Sequence, residues 1–133
     1  MSARASCRSA ARHGERGSVS VVVIAGAAIV LVLTMGVADV ARVLTAAARA
    51  RAAADASALA AAQELAFPSG ASPADIAAAY AVANGAQLVM CSCDPGTSEA
   101  RVQVRVPVGA LFLFGDGDSA TANARAVVDL PAP

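Results

Sequence analysis

Val19-Ser-Val-Val-Val-Ile-Ala-Gly-Ala-Ala-Ile-Val-Leu-Val-Leu-Thr-Met-Gly-Val-Ala38 decides the fold. The uncharged run extends back to Gly17, giving 22 residues without an acid or a base. At about 1.5 Å of rise per residue, roughly 20 helical residues cross the ~30 Å hydrocarbon layer of a bilayer. Lipid offers the backbone no hydrogen-bond partner, so such a stretch must be helical. A buried core helix is the competing reading. It is disfavoured because little else in the chain can wrap a helix that is apolar on every side. A secretory signal peptide is the second competitor, with Gly36-Val37-Ala38 as a small-x-small site. The apolar stretch is longer than the usual h-region of about 7–15 residues.

Charge on either side of the run sets its direction. Residues 1–17 hold Arg4, Arg8, Arg12 and Arg16 against Glu15, and residues 39–133 hold nine acids against six Arg. The basic side belongs in the cytoplasm and the acidic side outside. Basic residues are not concentrated on the outer part, which excludes the usual footprint of a nucleic-acid binder. The chain is 57% hydrophobic with only 3% aromatic residues, and the excess is largely alanine. That composition points to a tethered helical protein rather than an enzyme with a large core.

After Ala38 the helical pattern continues without a break. Asp39 to Phe67 contains no Gly and no Pro and is rich in the strongest helix former. Asp39 and Arg42, and Arg51 and Asp55, are spaced to meet on one face. One helix from about Ser18 to Ala66 is expected, ended by Phe67-Pro68-Ser69-Gly70 because Pro68 disfavours helix at the residue before it. Ala48, Ala52, Ala56 and Ala60 form an i+4 stripe suited either to close packing in an assembly or to helix propensity alone.

Ser72-Pro73-Ala74-Asp75 opens a second helix, with Ser72 as cap, Pro73 in the first turn and Asp75 at the positive helix end. Ile76, Ala79, Tyr80 and Ala83 form its expected apolar face, and Asn84-Gly85 its stop. Gln87–Ser92 reads as a short buried strand. Val102, Val104, Val106 and Val108 alternate with Arg101, Gln103 and Arg105, the strongest strand signal in the chain. Pro107 marks a strand end or an edge. Ala120 to Leu130 alternates again, and Gly109–Asp118 between the two is expected to be a loop. Its Phe112 and Phe114 read as core filling, with an exposed tip against membrane or partner as the alternative. The helix at 73–84 and the stalk near Leu59–Phe67 are the expected covers of the sheet.

The expected fold class is therefore α+β: a single N-terminal transmembrane helix continuing into a long Ala-rich helix, then a short helix and a small antiparallel β-sheet. Residues 1–17 form a basic tail or leader, 18–38 the span, 39–67 the stalk and 68–133 a small extracytoplasmic domain. No catalytic constellation is visible. His13 lies in the basic tail, Cys91-x-Cys93 supplies too few ligands for a metal site, and Asp116-Gly117-Asp118 reads as a solvated turn. No cofactor is expected. Cys91 and Cys93 are candidates for a tight disulfide outside the cell, with free thiols or an intermolecular bond as alternatives.

Glu15-Arg16-Gly17-Ser18, the apolar span, Asp39-Val-Ala-Arg42 and Arg51-Ala-Ala-Ala-Asp55-Ala-Ser-Ala-Leu-Ala-Ala-Ala62 together resemble the N-terminal region of TadE/TadG-like pilus-assembly proteins. The likeness covers about residues 15–66 and is nearest to the short TadE-like proteins of high-GC actinobacteria. It implies a pilin-like architecture and a non-enzymatic pseudopilin-like or accessory subunit of a tight-adherence type IV pilus system. Ala52, Asp55, Ala56, Leu59 and Ala60 are the implied helix-packing motif. The implied partners are the lipid bilayer, other pilin-like or Tad-system membrane proteins, and a prepilin peptidase cutting between Gly17 and Ser18. Val22 stands where pilins carry a Glu five residues after the cut. The alternative is a membrane-anchored extracytoplasmic binding module.

Overall fold

The computed structural model describes residues 16–129. The basic tail with Arg4, Arg8, Arg12, His13 and Cys7, and the Leu130 end of the final alternation, lie outside the described residues. The fold is α+β. Helix α1 runs from Arg16 to Ala66 and α2 from Pro73 to Ala83. Strands follow at Gln87–Ser92 (β1), Glu99–Pro107 (β2), Ala110–Leu111 (β3), Gly115–Asp116 (β4) and Ser119–Val127 (β5). β1, β2 and β5 form an antiparallel sheet in the order β1-β2-β5, and β3 and β4 form a separate small hairpin. The expected loop at Gly109–Asp118 thus contains a hairpin.

The chain divides into two compact units, one ending at Met35 and one beginning at Gly36. In the first, every described side chain from Val19 to Met35 is exposed. Among the described residues, α1 is the one helix long and apolar enough to cross a membrane.

In the second unit, one face of α1 is buried with the inner face of the sheet. That face is Ala46, Ala50, Ala53, Ala54, Ser57, Ala58, Ala61 and Ala62, clustered with Ala100, Val102, Val104, Val106 and Ala122. Val102 and Val104 are the largest fully buried apolar side chains. The helix supplies alanine methyls to this core, and the valines of β2 supply most of its bulk. The expected cover near Leu59–Phe67 takes part through Ala61, Ala62 and Leu65, while Leu59 and Phe67 themselves are exposed and the covering face extends back to Ala46. In α2, too, the small residues Ala77 and Ala81 pack inward while Tyr80 is half exposed. The expected face of Ile76, Ala79, Tyr80 and Ala83 is not the packed one.

β1 is an exposed edge rather than a buried strand. A bulge between Leu88 and Met90 sets Leu88 opposite Val104 and Cys91 opposite Val102. Those two side chains face the core, and Val89 and Met90 are both left outside. β2 and β5 keep the expected period of two. Pro107 ends β2 opposite Ser119, where the ladder needs no further donor. α2 begins after Ser72 without a side-chain cap and ends at Asn84, with the Ala86 N–H donating to the Ala81 carbonyl across Gly85 at φ 71°.

Candidate assembly interface

The i+4 stripe on α1 does not stay on one face. A helix turns about 100° per residue, so each four-residue step drifts roughly 40° around the axis. Ala48 and Ala52 are exposed, Ala56 is half-buried and Ala60 is buried in the chain's own core. Asp55 and Leu59 are exposed. The motif Ala52, Asp55, Ala56, Leu59, Ala60 is therefore split, with its first four members open or half-open and Ala60 used internally. Val37, Val40 and Leu44 continue the open face toward the span, and each is more than half exposed. The result is a face that is bulky and apolar near Gly36, small at Ala48 and Ala52, and marked by Arg51 and Asp55 one turn later.

The two charge pairs expected along the helix do not form. Among the described residues, the ion pairs are Arg101–Glu99 and Arg125–Glu99. Asp39 and Arg42 do share a face, but each turns to the β3–β4 hairpin. The Asp39 carboxylate is 1% exposed and accepts the backbone N–H of Phe112 and of Leu113, both at 2.8 Å. Arg42 Nη1 donates to the Ala110 carbonyl at 2.6 Å, and its guanidinium lies 4.3 Å from the centre of the Phe112 ring. A buried carboxylate needs such donors, because an unpaired buried charge is costly. The i,i+3 spacing of Asp39 and Arg42 was visible in the sequence; the hairpin that they hold was not.

The hairpin itself depends on glycine. Gly115 has φ 74° and Gly109 φ 79°, both in the left-handed region. A Cβ on Gly117 would collide with the Gly109 carbonyl, whose oxygen accepts the Gly117 N–H at 3.0 Å. The turn so formed exposes Phe112, Leu113 and Phe114. Core filling, the expected role of the two Phe, is not what they do. Asp116 and Asp118 are exposed, and Asp118 accepts the Ser119 N–H. Among the described residues, no cluster of three or more His, Cys, Asp or Glu is placed to hold a metal ion.

On the outward sheet face, Arg101 and Arg125 sit directly opposite each other in the β2–β5 ladder. Glu99 bonds both: Arg125 at 2.8 Å through two contacts, and Arg101 at 2.6 Å. Its carboxyl is held below the ordinary glutamate value, first by Arg125 and then by Arg101. The like charges would otherwise repel across the strand pair. Cys91 and Cys93 have Cα atoms 5.5 Å apart, and their sulfur atoms face each other in contact. Arg16, Gly17 and Ser18 have helical backbone in the first turn of α1.

Residues 17–64 match the family described as "Putative Flp pilus-assembly TadE/G-like". The match covers the apolar stretch, Asp39, Arg42 and the alanine-rich face up to Glu64. No curated protein and no solved structure gives a match. The domain supports involvement in Flp pilus assembly and a structural role, with other components of that system as partners. The helix that carries this match also suits single-pass membrane anchoring. Over residues 17–64, about a third of its length, the chain is similar to the TadE/G-like Flp pilus-assembly family.

Proposed function

We propose that the protein is a non-enzymatic, pseudopilin-like or accessory subunit of a tight-adherence pilus, anchored by the apolar part of α1 with residues 1–17 in the cytoplasm. It acts by packing the open face of α1 against other such helices. The observation that carries this reading is the split of the alanine-rich helix. One face is consumed by the chain's own sheet, while Val37, Val40, Leu44, Ala48, Ala52 and Leu59 stay uncovered on the matched segment. Small residues on that face favour close backbone approach by a second helix.

Photo-crosslinkers placed at Ala48 and Ala52 in the pilus-bearing organism test this directly. They should trap a membrane partner, and one at Gln103 on the outward face of the sheet should not. Capture from Gln103 alone would support the second reading, a membrane-anchored binding module. That reading draws on the basic outer face formed by Arg101, Arg105 and Arg125.

Cleavage between Gly17 and Ser18 by a prepilin peptidase belongs to the same proposal. It would remove Arg4, Arg8, Arg12 and Arg16, the charges that hold the helix in place. The mass of the mature chain settles it: a start at Ser18, lost in Gly17→Leu, is the expected result. A disulfide between Cys91 and Cys93 is proposed for the outer unit. Alkylation of the unreduced, denatured chain should then spare Cys91 and Cys93, with Cys7 labelled only in chains that keep residues 1–17.

A further inference from the structure

We propose that the tip of the β3–β4 hairpin, Phe112-Leu113-Phe114, is a second membrane contact that sits in the lipid surface beside the exit of the helix. The inference rests on the membrane reading of the apolar stretch given above. It begins from a register. Ala110 meets Arg42, the N–H groups of Phe112 and Leu113 meet Asp39, and the Leu113 side chain lies 3.5 Å from where a Cβ on Gly36 would be. Each step toward the tip therefore meets α1 three residues nearer the span, about 4.5 Å along the axis. Gly36 is inside the uncharged run that ends at Ala38. A side chain that touches Gly36 shares its depth.

The chemistry of the tip agrees with that depth. Turns are ordinarily built from Gly, Pro, Asn, Asp and Ser. This one presents three large apolar side chains, with Phe112 59%, Leu113 43% and Phe114 74% exposed. In water such a patch is a liability, whereas at a bilayer surface it is an anchor. The backbone at the tip is also prepared for a medium poor in water. The N–H groups of Phe112 and Leu113 are bonded to the Asp39 carboxylate, which is itself buried by the hairpin. Arg42 lies over Phe112, one turn farther from the span, where a cation meets headgroups. Asp116 and Asp118 are exposed on the returning strand, which keeps the contact shallow.

The protein contains no Trp, so a single introduced indole reports one place. Full-length protein with Phe114→Trp, and separately Phe112→Trp, is reconstituted in phosphatidylcholine vesicles whose chains are brominated near the carbonyl end. Val30→Trp marks the span and Tyr80→Trp the water-exposed side of α2. The tip indoles should emit to the blue of Tyr80→Trp and lose most of their emission to bromine. Adding Asp39→Ala should move the Phe114→Trp signal toward that of Tyr80→Trp. Quenching of Val30→Trp by mid-chain bromines without quenching of either tip indole would overturn the proposal and leave the membrane reading standing. No quenching at Val30 would end both. A blue-shifted tip that bromine does not quench would mean burial against a second protein chain, and would likewise overturn the lipid contact.

Discussion

Val19–Met35 and Gly36–Ala66 are consecutive stretches of one helix written in two different residue vocabularies. The first is built of Val, Ile and Leu, and all its described side chains are exposed. The second is built of Ala, and half of its circumference is buried in the chain's own core. A helix surrounded by lipid gains from bulk on every side and needs no packed face of its own. A helix laid on a three-stranded sheet needs a face that fits the side chains the sheet presents, here Val102, Val104 and Val106 against alanine methyls. The difference teaches that alanine here is a packing residue as much as a helix former. It also makes the second stretch the fragile one.

The largest effect should come from breaking the backbone in each stretch. Ala53 is fully buried, and Ala53→Pro removes a helical N–H and drives the ring into the turn before it, at a cost of about 3 kcal/mol or more. Such a cost is a large share of the stability of a small domain. The unit from Gly36 onward should lose its cooperative thermal transition by circular dichroism in micelles. Ala28→Pro in the first stretch should leave that transition nearly in place, since a membrane helix tolerates proline better. Equal damage from both would show that the two stretches fold as one.

Next comes the Asp39 clamp. Asp39→Ala strips two N–H groups of their charged acceptor, and bonds of that kind contribute about 1.5–3 kcal/mol. Hydrogen exchange at Phe112 and Leu113 should speed up sharply while exchange within β2 changes little. Asp39→Asn keeps one acceptor oxygen and should fall between. Unchanged exchange at both amides would remove the clamp from the account.

Overpacking separates the two faces of the second stretch. Ala50 is fully buried, so Ala50→Leu should destabilise the second unit by about 1–3 kcal/mol in denaturant titration. Ala52 is exposed, and Ala52→Leu should leave stability within about 0.5 kcal/mol while weakening partner capture. If Ala52→Leu destabilises the isolated chain as Ala50→Leu does, the open face is not open.

These faces mark where sequence reading ends. The apolar stretch was legible as a helix able to cross a membrane because charge vanishes for six turns, and β2 and β5 because Val and Ala alternate with Arg, Gln, Asn and Thr. The buried face of the second stretch was not legible, since alanine occupies every side of it and hydrophobic periodicity carries no signal there. The expected cover near Leu59–Phe67 caught only the end of that face, Ala61, Ala62 and Leu65, and missed its run from Ala46 to Ala58. Reasoning from bulk put Phe112 and Phe114 in the core. The β1 bulge broke the alternation that would have shown an edge strand. Asp39 and Arg42 were conspicuous as the first charges after the span, but their partners lie about 70 residues away and depend on a hairpin held by Gly109, Gly115 and Gly117. The matched segment was identified from its own motif, whereas which members of that motif remain free required the fold.

The smallest expected effect lies where the alanine-rich stretch stops. Glu64 is in the last turn of α1, where a negative charge meets the negative end of the helix dipole. Its carboxylate accepts the Ser69 N–H at 2.6 Å and the Ser69 hydroxyl at 2.9 Å, closing the turn that Pro68 begins and offsetting that repulsion. Those bonds hold its carboxyl below the ordinary value, the Ser69 backbone N–H first and the hydroxyl second, with smaller help from the N–H groups of Ala71 and Gly70. The sign follows from that direction. The folded form binds its proton less readily than the unfolded form. The stabilisation is therefore complete above the unfolded carboxyl value and is lost as pH falls through the lower folded one. Acidification through that window should lower the protection of the Ser69 amide, its exchange measured against the intrinsic rate at each pH, and fray the helix end, while the amide of Ala53, deep in the same stretch, stays protected. Glu64→Gln should abolish the pH dependence of that protection, because an amide does not titrate. A Ser69 amide whose exchange follows the ordinary base-catalysed trend across the acidic range, identical in wild type and variant, would show that this carboxylate does not set the end of the helix.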